Sequence, residues 1–175
     1  RRIAVLKNIS RDFEIVEIRG NIQTRLKKLE EKNYDGMILA AAGLHRMSIE
    51  KQITEYLPIK QSVPSAGQGI LCIEYLKKNS NMKRMLKKYT NRDVDTCAIE
   101  ERNFIGVIGG DCMSPIGAHA TIQKEKISLT GFVASKDGNN FIKTTCEASI
   151  AKGIGVGKNL GNIFNKQGAK KLLHK

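Results

Sequence analysis

Hydrophobic and polar positions alternate along this chain with two different periods, and the change of period divides it. "FEIVEI" (13–18), rich in branched and aromatic residues, predicts a strand. In "GNIQTRLKKLEE" the apolar residues Ile22, Leu26 and Leu29 recur at i, i+4 and i+7, which predicts an amphipathic helix. Asn21 is its expected N-cap and "NYDG" (33–36) its end. "MILAAA" (37–42) reads as a second, buried strand, followed by a helix with Ile49, Ile53, Tyr56 and Leu57 on one face and Pro58 as its stop. Strand, helix, strand, helix at this spacing predicts parallel strands joined by a right-handed crossover.

"VPSAGQG" (63–69) breaks the pattern with small residues and reads as a hinge. A strand, "ILCIEYL", follows, then a basic helix around Met82, Met85, Leu86 and Tyr89. "NRDVDTCAIEERNFIGVI" predicts a long helix opening at an Asp cap, with Val94, Cys97, Ala98, Ile105 and Ile108 at helical spacing. Beyond it the period becomes two. "AHATIQ", "KISLTGFVAS" and "NFIKTTCEAS" are three alternating stretches joined by "KE" and by the hairpin signal "KDGN". A last helix carries Val156, Leu160, Ile163 and Phe164. The fold class expected is α/β: a parallel-sheet unit, then a small α+β domain with a three-stranded antiparallel sheet. There is no internal repeat.

Charge narrows the function. Thirty Lys plus Arg against seventeen Asp plus Glu leave a net charge of +13, which favours anionic partners. A nucleic-acid-binding module would interleave aromatic residues with the basic ones; aromatics make up 5% and mostly fall on apolar stripes. No apolar run has the length of a membrane span and no signal-peptide pattern opens the chain, so it reads as soluble and intracellular. The four cysteines stand far apart without a C-x-x-C pair, which argues against zinc and against a disulfide scaffold. No metal site is expected. Cys72, Cys97 and Cys146 lie in apolar patterns and read as small packed hydrophobes. Cys112, in "IGGDCMSPIGAHA" (108–120), instead occupies a glycine-rich bend where a thiol can be reached, beside an Asp111 that opposes thiolate formation.

The arginines suggest an anion site. Arg19 ends a predicted strand, and Gly20-Asn21 opens a helix whose first backbone N–H groups are free to meet an anion. Arg25 lies one turn into that helix, and Arg46 follows the next predicted parallel strand, so Arg19 and Arg46 are expected on one sheet edge. Arginine's planar fork grips carboxylates bidentately. The alternative for these side chains is surface pairing with Glu17 or Glu50. His45 neighbours Arg46 and is a further candidate for ligand contact. "GIGVGKN" (153–159) fails as a phosphate loop, because Lys152 and Asn159 stand where Gly and Ser or Thr are required.

The initial "RR", "RGNIQTRLKKL", "YDGMILAAAGLHRM", "PSAGQGILCIE", "ERNF" and "GGDCMSPIGAHA" together resemble the porphobilinogen deaminase (hydroxymethylbilane synthase) family, in its order and spacing. The resemblance implies a transferase that condenses four porphobilinogen molecules into hydroxymethylbilane with release of ammonia, in tetrapyrrole and haem biosynthesis. It implies a dipyrromethane cofactor held through a thioether to Cys112. Carboxylate-bearing rings would be bound by Arg1, Arg2, Arg19, Arg25 and Arg46, with backbone groups near Gly20 and Asn21. It further implies a periplasmic-binding-protein-like unit. Residues 1–63 would belong to its second domain, 64–91 to a hinge and a segment returning to the first, and 92–175 to the cofactor-cysteine domain. The family's catalytic aspartate would lie upstream of Arg1, so these residues alone are expected to be inactive. Asp111 departs from the glycine common in the family. Expected partners are porphobilinogen and the growing polypyrrole, with no nucleic acid, no membrane, and a monomer at full length. The location would be the cytoplasm, or an organelle if a targeting segment precedes Arg1. A basic nucleic-acid-binding module and a small-anion sensor without a covalent group are the alternatives.

Overall fold

A computed structural model describes residues 1–31, 34–111, 113–152 and 155–173 of the chain. Cys112, His174, and parts of "NYDG" and "GIGVGKN" lie outside the described residues. The helices run in the order α1 (Arg2–Ile9), α2 (Ile22–Glu31), α3 (Ala41–Arg46), α4 (Ser80–Leu86) and α5 (Arg92–Ile108). Strands β1 (Ile116–Gln123), β2 (Lys126–Ala134) and β3 (Phe141–Ser149) follow, then α6 (Val156–Lys166) and α7 (Ala169–Leu173).

The period-two stretches pair as an antiparallel meander, β1-β2-β3, with Ile116 opposite Val133 and Lys126 opposite Ser149. Because successive side chains in a strand point to opposite faces, β2 serves two cores. Ile127, Leu129 and Val133 face Phe104 and Ile108 of α5 and Leu160 and Phe164 of α6. Phe132 and Ala134 face the other way, onto Ala4 and Val5 of α1 and onto Val63. Phe104 and Phe164 meet edge to face, with ring centroids 5.0 Å apart. Each such buried side chain contributes roughly 1.5–3 kcal/mol of transfer free energy.

The helix pair over the sheet is close because α6 offers glycine at the contact. A Cβ on Gly157 would stand 2.1 Å from the Glu100 carbonyl oxygen, and one on Gly161 would stand 2.6 Å from Val107 Cβ. Gly157 of "GIGVGKN" thus serves helix packing, whereas Gly155, at the start of α6, has nothing within 4 Å of the place a Cβ would take. Asn91, rather than an aspartate, caps α5: its Oδ1 accepts from the N–H groups of Asp93 and Val94. The two aspartates fall in the first turn, where negative charge complements the helix dipole.

Three expected strands do not form. Residues 13–18, 37–40 and 70–76 take part in no sheet among the described residues, and the α3 helix begins inside the expected second strand. Periodicity is a local signal, whereas a strand exists only when a neighbour accepts and donates its backbone hydrogen bonds. The side chains reflect this: Phe13, Val16, Leu71 and Ile73 are exposed, and so is Cys72, which is not the packed hydrophobe the pattern suggested. The helix expected through Ile49, Ile53, Tyr56 and Leu57 is reduced to a single turn at Glu50–Gln52. It is stopped upstream, where the Met47 N–H closes on Gly43 and Leu44 and Ser48 takes a left-handed φ of 56°.

Candidate functional site

Segment 63–69 is where the N-terminal residues meet the C-terminal sheet, and nearly every residue in it is tied. The Pro64 carbonyl accepts from the Ala118 N–H of β1 at 2.9 Å. The approach is possible because position 117 is glycine: a Cβ there would stand 2.8 Å from the Val63 oxygen and 2.9 Å from the Pro64 oxygen. The Val63 carbonyl in turn accepts from Arg1 Nη1 at 2.7 Å, and Arg1 Nη2 reaches Gln68 Oε1 at 3.2 Å. Arg46 Nη2 donates to the Gly69 carbonyl at 2.5 Å. Two arginines therefore hang on one loop, which itself lies against the strand that follows the cysteine bend.

The remaining arginines divide. Arg2 is close enough to Arg25 for repulsion to lower its pKa, although burial is the larger cause. Arg1 is pushed down to about 10, first by burial and then by Arg2. Arg25 Nε donates to the Gly20 carbonyl at 2.7 Å, which folds the guanidinium back over the start of α2. That start is capped as expected, with Asn21 Oδ1 accepting from the Thr24 N–H at 2.8 Å. α3 ties the group together: Gly43 leaves room for Ile22 of α2, and Ala42 lies against Gly69. Arg19 departs from the group. Its side chain is exposed and pairs with Glu17 at 3.4 Å, the alternative that the sequence left open. His45 is engaged within the chain: its Nε2 lies 2.9 Å from Tyr56 Oη, with the rings stacked.

Among the described residues, none of Arg1, Arg2, Arg25 and Arg46 has a carboxylate partner. Burial first, and then a neighbouring guanidinium, lowers the pKa of both Arg1 and Arg2, which leaves positive charge here without a carboxylate beside it among the described residues.

On the C-terminal side Asp111 is knotted to Met113 and Ser114. Its Oδ1 accepts from the N–H groups of Met113 and Ser114 and from Ser114 Oγ, at 2.9, 2.8 and 2.8 Å. Ser114 Oγ accepts from the Asp111 N–H in return. These bonds hold the Asp111 carboxyl below its ordinary value, the Ser114 hydroxyl contributing most. Beside the knot opens a cavity of about 540 Å³ whose polar lining includes Asp111, Ser114, Lys136 and Lys170.

The comparisons with known proteins decide the family. Residues 1–84 match the model of the porphobilinogen deaminase dipyromethane cofactor binding domain, and residues 95–166 match that of the porphobilinogen deaminase C-terminal domain. The chain belongs to the porphobilinogen deaminase family. A porphobilinogen deaminase of Alkaliphilus metalliredigens is 39% identical over 99% of this chain and 55% of its own length. That of Francisella philomiragia is 40% identical over 100% and 58%, and that of Syntrophotalea carbinolica 36% identical over 99% and 55%. The chain thus spans just over half the length of the curated porphobilinogen deaminases it matches.

Sequence reasoning missed the two acids of "EERNF" and the role of Gln68. Glu100 and Glu101 are both buried, at 1% and 4% exposure. Glu100 accepts from the Gly157 N–H, and Glu101 from the Gly67 and Ala120 N–H groups. The signal was available: Glu101 follows Cys97 by one helical turn, on the stripe that continues to Phe104 and Ile108. A charge on an apolar stripe marks a buried partner.

Proposed function

We propose that this chain is the cofactor-carrying part of a porphobilinogen deaminase, the transferase that condenses four porphobilinogen molecules into hydroxymethylbilane. The observation that carries this reading is the shared anchor at positions 63 and 64. One carbonyl there holds Arg1, and the next holds β1, the strand that begins four residues after Cys112. This supports a reading in which the carboxylate-binding arginines and the cysteine that carries the cofactor are tied to one piece of backbone.

On this reading Cys112 bears the dipyrromethane through a thioether. When bound, that group supplies the primer from which the polypyrrole is extended. Arg1, Arg2, Arg25 and Arg46 receive its acetate and propionate groups and those of the incoming ring. Arg19 joins them by exchanging Glu17 for a ligand carboxylate, a small cost for an exposed pair. The Asn21-capped start of α2 adds N–H donors beside Gly20. Fixed guanidinium groups orient each ring for attack and exclude alternative poses. Residues 13–18, 37–40 and 70–76 become strands of a parallel, periplasmic-binding-protein-like sheet when the remaining length of the relatives is present. The division at 1–63, 64–91 and 92–175 follows from this, with 64–91 as the hinge and returning segment.

Intact mass tests the assignment, measured on the protein at the full length of its relatives. The wild type is expected to carry an added mass of two pyrrole units. Cys112→Ser should abolish it, and Cys72→Ser should leave it. An unmodified wild type, or an increment that survives Cys112→Ser, overturns the assignment.

A further inference from the structure

The two buried glutamates of α5 have different partners. Glu100 bonds to α6, through the Gly157 N–H at 2.6 Å, and to Asn103 Nδ2 at 3.2 Å on its own helix. Glu101 bonds to neither helix. Its Oε2 accepts from the Gly67 N–H at 2.6 Å and its Oε1 from the Ala120 N–H at 2.8 Å, with His119 Nδ1 at 3.9 Å. A single buried side chain therefore spans from the C-terminal sheet to the loop that carries the anchors of Arg1 and Arg46.

We propose that Glu101 is a positioning residue for the carboxylate-binding arginines, acting through segment 63–69. This rests on the reading of those arginines given above. A carboxylate is the group suited to the task. It accepts with both oxygens and donates with neither, so two N–H groups on separate elements can be held by one side chain. The bonds lie out of water, where charge-assisted hydrogen bonds are strong and an unmade one is costly. With Gly67 fixed, the Gln68 side chain and the Gly69 carbonyl on the next two residues are fixed as well. Those are the groups that Arg1 Nη2 and Arg46 Nη2 hold. The Pro64–Ala118 bond secures the other end of the segment. The arginines are thus pinned against β1, rather than carried on a loop free to drift from the cysteine bend.

The test compares Glu101→Gln with Glu100→Gln, a matched change on the same helix at equal burial. The amide of Gln puts a donor against one of the two N–H groups, so either variant loses one bond of its kind. A synthetic dipyrromethane bearing four carboxylates is the probe, and its affinity for the chain is measured by titration. Glu101→Gln is expected to weaken binding about tenfold and to speed exchange of the Gly67 amide at least tenfold. Introduced into Arg46→Gln, Glu101→Gln should weaken binding by a smaller factor than it does in the wild type, because part of its effect runs through Arg46. Glu100→Gln should lower thermal stability while leaving the affinity within twofold. Gly117→Ala, which displaces Val63 from β1 by a separate route, should reproduce the weaker binding even if Glu101→Gln does not fold. Equal affinity in wild type and Glu101→Gln, or equal weakening by Glu100→Gln, overturns the inference alone. Failure of the wild-type chain to bind the probe overturns the anion-site reading, and the inference with it.

Discussion

Asp111 shows how much one side chain can set in a loop of small residues. Its carboxylate closes the turn onto Met113 and Ser114, and those bonds hold its pKa below the ordinary 3.8. A depressed acid contributes its bonds above the ordinary value and loses them as pH falls through the lower, folded one. The amide proton shifts of Met113 and Ser114 should therefore titrate with a midpoint below pH 3.8. Asp111→Asn keeps an acceptor without a titrating group, so the movement should vanish in that variant. If the same titration persists in Asp111→Asn, the carboxylate is not what these amides sense. Cys97 supplies a second check at this scale. Burial first, then Glu101 and Asp93, raise its pKa, while Cys72 is exposed. With the fold intact, a maleimide should label Cys72 and leave Cys97 untouched; labelling of both at equal rates contradicts the packing of α5 on the sheet.

At the scale of elements, contact between α5 and α6 depends on where glycine stands. Gly157 cannot accept a methyl group, since the obstacle is the Glu100 carbonyl and backbone does not move aside cheaply. Gly157→Ala should destabilise by about 1–3 kcal/mol, the usual cost of overpacking. Gly106, on the exposed side of α5, has nothing within 4 Å of the place a methyl group would take, and Gly106→Ala should instead stabilise by roughly 0.5–1 kcal/mol. Denaturant midpoints of the two variants should move in opposite directions, and a shift of both the same way would mean the interface is looser than these distances imply. Legibility follows the same line between local and distant causes. The meander and α5 were readable because alternation and helical stripes are imprinted by the sheet and helix each residue occupies. The β1–β2 turn was placed correctly although Lys124 and Glu125 both take left-handed φ without the Asn-Gly that usually marks it. The strands expected at 13–18 and 70–76 do not form in this chain, because their pattern is strand-like while their pairing depends on what lies alongside. Of the candidate site, Arg25 and Arg46 were singled out by residue type and position, and Arg1 and Arg2 by the family resemblance alone. Glu101 was not, since its meaning lies in two N–H groups far off in sequence.

For the whole molecule, the pairing absent at 70–76 has a measurable consequence. Leu71, Ile73 and Leu76 are 75%, 61% and 69% exposed, and Met85 and Tyr89 of the neighbouring turns are 60% and 70% exposed. An apolar row of this kind, next to an extended segment with unpaired backbone, is a surface that associates. It contributes nothing to either core: the large buried side chains all belong to α1, segment 59–63, α5, the three strands, α6 and α7, apart from Leu44 of α3. Association and folding should therefore separate. Leu71→Ser combined with Ile73→Ser should reduce binding of a hydrophobic fluorescent dye at least twofold and lower the tendency to self-associate. The unfolding free energy should stay within about 0.5 kcal/mol, as expected for substitutions outside a core. Dye binding unchanged by the pair would place the exposed apolar surface elsewhere. A large loss of stability would show that 70–76 is already packed in the isolated chain. The expected result leaves 70–76 exposed without cost to the fold, while Arg1, Arg46 and β1 are held independently by segment 63–69.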